Sequence, residues 1–121
     1  MNPDLIVILA TAGLAALAVW AFWLLYVICM AFYAAKLEGN LVSWNLYMAA
    51  PVLVVGLLFD VAFQYLVATF WFQDWPAKGE HLVTQRLQRY RTSEPDSWRG
   101  ARAKRICELR LNPFDPRRKH C

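Results

Sequence analysis

The chain has 121 residues, and 59% of them are apolar, above the roughly 45–50% that is usual in soluble domains. Four charged residues precede position 73, whereas 12 Lys/Arg and 6 Asp/Glu follow position 72, a net of +6 there. This distribution argues against an ordinary soluble domain and predicts a membrane hairpin, residues 1–75, followed by a basic tail, residues 76–121.

The first predicted element is an apolar run from residue 5 to residue 35. Because a membrane-crossing helix needs about 20 apolar residues, this run predicts a long and tilted transmembrane helix. It is too long for the apolar part of a secretory signal, and no Lys or Arg precedes it. Trp20 and Trp23 lie near its middle, where they would contact either another protein helix or lipid.

A turn signal at Gly39 and Asn40 separates this helix from a second apolar run, residues 46–72. The connection is short, so the two runs predict an antiparallel hairpin. The second run ends in aromatic residues of the kind that mark a membrane interface. The expected fold class is therefore all-α: an integral membrane hairpin of two transmembrane helices with a tail of two short amphipathic helices.

The first tail helix is predicted over residues 78–91, and the Ser93-Glu-Pro-Asp96 sequence predicts the start of the second. In the first helix, one side would carry Leu82, Val83, Leu87 and Tyr90, with Arg86 elsewhere. In the second helix, the apolar side would carry Trp98, Ala101, Ile106 and Leu109.

Charge also predicts the orientation, because Lys/Arg-rich flanks usually stay in the cytoplasm. The hairpin turn carries only Lys36, while the tail carries 12 Lys/Arg. We therefore expect a multi-pass membrane protein with both termini cytoplasmic. Three cysteines without framework spacing argue against a disulfide scaffold, and Cys107 and Cys121 of a cytoplasmic tail would be reduced.

Asp60 lies near the middle of the second predicted span, where an ionised carboxylate costs about 2.5–3.5 kcal/mol on insertion scales. Small and polar residues at four-residue spacing predict a helix interface that comprises Gly56, Asp60, Gln64 and Ala68. Trp20 and Trp23 are the expected donors at matching depth in the first span, which makes them part of this interface. The alternatives are a protonated Asp60, an aqueous or proton-conducting role, and pairing with a basic residue of a partner.

Basic and aromatic residues of the second tail helix form a predicted docking surface: Trp98, Arg99, Arg102, Lys104 and Arg105. Such a mixture is typical of a helix on anionic lipid or at a protein partner. The plainer alternative is a topology signal with no further role. Nucleic acid is not expected, since acidic residues interrupt the basic ones and no binding motif is present.

The sequence indicates no reaction. The residues that could bind a metal, His81, Cys107, His120 and Cys121, lack the close paired spacing of zinc ligands. There is no phosphate-binding loop, no nucleotide fingerprint and no Ser/His/Asp arrangement with usable spacing. We therefore expect no enzyme, no cofactor, no metal and no small-molecule substrate.

Several short sequences in the C-terminal third resemble the ends of uncharacterised small two-span membrane proteins of temperate phages and prophages of Gram-negative bacteria. They are Arg86-Leu87 with Arg89-Tyr90, Ser97-Trp98-Arg99, Leu109-Arg-Leu-Asn-Pro-Phe-Asp-Pro116 and His120-Cys121. The resemblance implies a phage or prophage setting, and with it a place in the bacterial inner membrane, and it supplies no catalytic residues.

The leading hypothesis is a non-enzymatic membrane adaptor that assembles with itself or with another membrane protein through the polar stripe of the second span. One alternative is a holin-like protein that permeabilises the membrane, with the stripe lining a lesion. A second alternative is an accessory subunit of a larger membrane complex, which a stoichiometric partner would favour.

Overall fold

The computed structural model describes all residues from Met1 to Cys121, and it contains helices and turns without any strand. Two long helical stretches form a hairpin, and shorter helices follow in the tail. The α-helices are α1 (Pro3–Leu37), α2 (Ser43–Phe63), α3 (Thr69–Phe72), α4 (Val83–Ser93) and α5 (Trp98–Ile106). A π-helical turn, Gln64–Ala68, joins α2 to α3, and a second one, Cys107–Leu111, extends α5.

Two stretches are long and apolar enough to cross a membrane, namely α1 and the continuous run Ser43–Phe72. α1 begins at Pro3 because the side chain of Asn2 accepts the Asp4 N–H, and proline is well suited to a first helical position. α1 ends before Gly39, whose φ of 76° is a backbone conformation that favours glycine and closes the turn.

The tail does not lie apart from the hairpin but packs against its side. The Tyr26 hydroxyl donates to the Leu111 carbonyl, and the Trp23 indole N–H donates to the Arg110 carbonyl at 3.1 Å. One apolar core therefore joins α1, the end of the second long stretch and both tail helices. Its buried residues are Tyr26, Ala68, Phe72, Val83, Leu87, Tyr90, Ala103, Cys107 and Leu111.

Both tail helices begin later than the sequence predicts. The first starts at Val83 rather than at position 78, and it still includes Ser93. The second starts after Ser97, whose backbone is extended and whose hydroxyl oxygen accepts the Gly100 N–H at 3.0 Å. Ser93 therefore closes one helix instead of capping the next, and the prediction of the cap was wrong.

The apolar side predicted for α5 was also wrong. The side that packs inward consists of small or slender residues, Gly100, Ala103, Cys107 and Leu111, while Trp98 is 46% exposed and Leu109 is 59% exposed. Close approach explains the choice, because a Cβ atom at Gly100 would lie 2.0 Å from the Glu94 carbonyl oxygen. The bulky residues are left on the outer side of the tail.

Cys107 and Cys121 form a disulfide, which contradicts the expectation of two reduced thiols. They are 14 positions apart in sequence, yet the last residues fold back onto the end of α5 and bring the Cα atoms to 5.7 Å. The side-chain oxygen of Asn112 fixes this return, since it accepts the N–H groups of His120 and Cys121 at 2.8 and 3.2 Å. Cys29, in α1, is the free cysteine.

We expect Gly100→Ala to lower the free energy of unfolding of the tail by about 1–3 kcal/mol, as overpacking in a dense core does. The added methyl group must displace the Glu94–Pro95 backbone. Hydrogen exchange of the amides of α4 and α5 in detergent micelles measures the loss. Gly13→Ala is the matched control, because no atom lies within 4 Å of its Cβ position. Equal protection in both variants would contradict the close packing of α4 and α5.

We expect one cysteine of the purified, unreduced protein to react with a maleimide, and three to react after reduction. Cys29 is the free thiol, and the other two are paired. Mass spectrometry counts the adducts, and Cys29→Ser should leave none before reduction. Closing a loop of this length contributes about 3 kcal/mol to stability, so Cys107→Ser should lower it by a similar amount. Three adducts without reductant would contradict the pairing.

Candidate functional site

The polar stripe of the second long stretch faces the chain's own α1 and tail. Gly56 lies against α1, where its Cβ position would be 2.9 Å from the Cys29 sulfur. Further along, Gln64 is completely buried and Ala68 is 2% exposed. The stripe therefore lies on the packed side of the helix, whereas Leu58 and Leu66 on the other sides are 65% and 72% exposed.

The carboxylate of Asp60 is met by the tail. Its Oδ1 accepts the Val83 N–H at 3.0 Å, so Asp60 caps the start of α4 from a different helix. A carboxylate at this position is stabilising because the first N–H groups of a helix have no partners within it. The tryptophans do not contribute: Trp20 is 58% exposed, and Trp23 donates to Arg110. Comparing residues at equal depth in the two long helices could not identify this partner, because Val83 lies in the tail.

Arg86 is the central residue of the contact between the tail and the end of the second long stretch. The sequence placed it away from the packed side of α4, but its side chain is completely buried. Its guanidinium donates to the Asp74 carbonyl at 3.1 Å and to the Thr69 hydroxyl at 3.1 Å. The π-helical turn exposes one more acceptor, the Gln64 carbonyl, at 3.4 Å. The long side chain of Arg86 thus donates hydrogen bonds to the acceptors at the irregular end of this apolar helix.

The buried Glu80 and the partly exposed Asp74 and Arg89 complete this polar cluster. Arg89 donates to Glu80 Oε2 at 2.8 Å and to Asp74 Oδ2 at 3.1 Å, and the Tyr90 hydroxyl donates to Asp74 at 2.8 Å. Glu80 Oε1 accepts from the Gln64 amide at 3.3 Å and lies 3.6 Å from the Arg86 Nε. Buried charges are tolerated when each is paired in this way, and removing one partner commonly costs about 3–5 kcal/mol.

The pKa values in the cluster indicate which of its groups are charged near neutral pH. Burial raises the pKa of Asp74, but the hydrogen bonds from Tyr90 and Arg89 outweigh burial and leave that pKa below its ordinary value. The hydrogen bond to Glu80 is the main reason why the pKa of Arg89 is raised. Burial and the bond to Asp74 together raise the pKa of Tyr90 to about 12. Near neutral pH, Asp74 and Arg89 are therefore charged and Tyr90 is protonated.

The predicted docking residues divide into two groups. Arg99 donates to the carbonyls of Phe72 and Gln73 at 2.9 and 3.2 Å, and Arg102 donates to the Trp71 carbonyl at 3.2 Å. These carbonyls lie at the end of α3, where no helical N–H remains to bond them. The other group stays outside: Lys104 and Arg105 are exposed and make no ion pair.

Trp98, the remaining docking residue, contacts two arginines of the first group and is also partly exposed. The guanidinium carbons of Arg99 and Arg102 lie 5.0 and 5.1 Å from its ring centroid, within the range of a cation–π contact. The indole is thereby held at the rim of the tail with nearly half of its surface exposed.

A cavity of about 250 Å³ lies between α1, α2 and the tail, with mostly apolar walls. Its polar wall is formed by Asp60, Thr84 and His120. His120 bridges two side chains, because its Nε2 is 2.8 Å from the Thr84 hydroxyl and its Nδ1 is 3.1 Å from Asp115 Oδ2. These contacts bring together a threonine, a histidine and an aspartate, a set different from the Ser/His/Asp arrangement for which the sequence shows no usable spacing. Positions 84, 115 and 120 meet only because the chain folds back at its last residues, which no local spacing indicates.

We expect the thermal midpoint of the protein in detergent to fall as the pH drops below about 4, the ordinary range of a carboxyl group. The pKa of Asp74 is lower in the folded chain than in the unfolded chain, so Asp74 stabilises the fold above that range and stops doing so as it is protonated. Asp74→Asn should lower the midpoint at pH 7 and reduce its dependence on pH. Asp96→Asn is the control, since Asp96 is exposed and forms no ion pair. Identical pH profiles for Asp74→Asn and wild type would contradict this role.

The chain was also compared with known proteins. No protein-family model, curated protein or solved structure matches it.

Proposed function

We propose that the protein is a membrane adaptor of the bacterial inner membrane, encoded in a phage or prophage setting, in which a two-span hairpin carries a folded basic tail. The main support is that the tail covers the polar stripe of its own hairpin and keeps its unpaired basic side chains outside. The role requires binding to a surface or a partner and needs no reaction.

The exposed apolar surface of α1 supports membrane insertion. Along its first turns, the large apolar side chains are 45–68% exposed, and nothing else in the chain covers them. A contiguous apolar surface of this extent on a soluble protein would drive aggregation, while a bilayer covers it without cost. The residues concerned are Leu5, Ile6, Val7, Ile8, Leu9, Leu14 and Leu17.

Coverage of the polar stripe favours an adaptor over a holin-like protein. A lesion lined by the stripe would require Asp60 and Gln64 to face water. Asp60 instead accepts from Val83, and Gln64 is fully buried beside Glu80. Exposing the stripe would break the capping of α4 and the buried ion cluster together, so this arrangement favours a stable tail over a lesion-forming rearrangement.

The outer side of the tail is suited to an anionic surface. Trp98, Leu109 and Phe114 are 43–59% exposed, and Lys104 and Arg105 lie on the same helix. Apolar side chains with nearby cations are typical of a segment in the headgroup region. The excess of basic residues favours the cytoplasmic side for the tail. The Cys107–Cys121 disulfide argues the other way, because cellular thiols keep most cytoplasmic cysteines reduced.

We expect the amides of α5 to exchange more slowly in vesicles that contain phosphatidylglycerol than in vesicles of phosphatidylcholine alone. Each basic residue near an anionic surface contributes about 1 kcal/mol, so the double variant Lys104→Glu/Arg105→Glu should lose the difference, as should high salt. Lys78→Glu is the control, because Lys78 is exposed in the loop before α4.

Two outcomes would redirect the proposal. Equal exchange in both kinds of vesicle would remove lipid docking and leave a protein partner, and a stoichiometric co-purifying protein would then identify an accessory subunit. Abrupt entry of a dye into bacteria that express the wild type, altered in Asp60→Leu, would favour the holin-like alternative over the adaptor.

A further inference from the structure

We propose that Thr84, His120 and Asp115 form a hydrolytic site for carboxylic esters with a short acyl chain. In this site Thr84 is the nucleophile, His120 is the general base and Asp115 is a positioning residue. This activity goes beyond the adaptor role and uses none of the residues that carry that role. It also revises the expectation, drawn from sequence spacing, that the chain is not an enzyme.

The distances are those of an activated hydroxyl. The Thr84 oxygen is 2.8 Å from His120 Nε2, and His120 Nδ1 is 3.1 Å from Asp115 Oδ2. A nucleophile within about 2.6–3.2 Å of a base, with the base held by a third group, is the recurring geometry of covalent catalysis. These three side chains come from α4 and from the return of the last residues.

Asp115 sets the tautomer of the histidine. Its side chain is completely buried and also accepts from the Arg117 backbone N–H at 2.7 Å. Burial raises the pKa of Asp115, but hydrogen bonds from Arg117 and His120 outweigh burial and lower it. An ionised Asp115 accepts the Nδ1–H of His120, which leaves the Nε2 lone pair directed at Thr84.

The Thr84 hydroxyl is free to react because of its position in α4. Within helices, threonine commonly donates to the carbonyl four residues earlier, as Thr11 and Thr92 do here at 2.7 and 2.9 Å. Thr84 lies in the first turn of α4, and the residue four positions earlier, Glu80, is outside the helix. Its one side-chain partner is His120.

The adjoining cavity limits the substrate. Thr84 and His120 both line the cavity of about 250 Å³, whose other walls include Phe22, Met30 and Leu57. Pockets for drug-sized ligands usually measure about 300–1,000 Å³, so this one accommodates a smaller apolar group. An acyl chain of a few carbons in the cavity would bring its ester carbonyl to the hydroxyl at the wall.

The reaction follows from these positions. The Thr84 oxygen attacks the ester carbonyl carbon while its proton passes to His120 Nε2, and the carbonyl oxygen takes the negative charge. Collapse breaks the bond to the alcohol oxygen, which takes the proton from His120. Water then attacks the acyl-threonine with His120 as base and releases the acid and the free hydroxyl.

The test uses the purified full-length protein in detergent micelles with p-nitrophenyl butyrate and a fluorophosphonate. We expect hydrolysis and a covalent phosphonyl adduct on the peptide that contains Thr84. Thr84→Ala should abolish the adduct and lower the rate by about 100-fold or more, because it removes the nucleophile. Thr84→Ser should keep both. Thr92→Ala, on the same helix, is the control and should behave as wild type.

Folding is checked separately by counting free thiols, since a correctly folded variant keeps Cys107 and Cys121 paired. No hydrolysis above buffer and no adduct on Thr84 in wild type would overturn the proposal. A folded Thr84→Ala variant that hydrolyses as fast as wild type would overturn it as well. Faster cleavage of p-nitrophenyl palmitate than of the butyrate would overturn the assignment of a short acyl chain.

Discussion

The buried guanidinium of Arg86 is the constraint on which the arrangement of hairpin and tail depends. It lies where an apolar helix loses its regular hydrogen bonding, and it donates to Asp74, Thr69 and Gln64. A charge buried without partners would cost several kcal/mol, so the tail is held in one position by the carboxylates and carbonyls around it. The packing of α4, and through it of α5, follows from that position.

This use of arginine changes the meaning of the basic composition. Several of the tail's arginines bind groups of the same chain and are not available to another molecule. Arg89 binds carboxylates, and Arg99 and Arg102 bind the carbonyls at the end of α3. Planar guanidinium groups suit such forked contacts better than ammonium groups do. The exposed basic surface is therefore smaller than the net charge suggests, and it includes Lys78, Lys104, Arg105, Arg110 and Lys119.

The all-helical hairpin could be predicted from sequence because long apolar runs leave few alternatives. The tail could not, since its position depends on contacts between residues far apart in the chain, such as Asp60 with Val83 and Tyr26 with Leu111. The spacing of Gly56, Asp60, Gln64 and Ala68 indicated a packed face but not what packs on it. The Asn-Pro-Phe-Asp-Pro sequence had no assigned chemistry, yet its Asn112 and Asp115 hold the last residues of the chain.

The π-helical turn between Gln64 and Ala68 accommodates one residue more than a regular α-helix would hold there. Each residue of a regular helix rotates the following side chains by about 100°. Because the wider turn absorbs the extra residue, a deletion of one residue in it would restore regular α-helix and leave Phe72 in the core, where it is 3% exposed. The loss would fall instead on the Gln64 carbonyl, which the wide turn presents to Arg86. The extra residue thus serves the contact with the tail and not the length of the apolar helix.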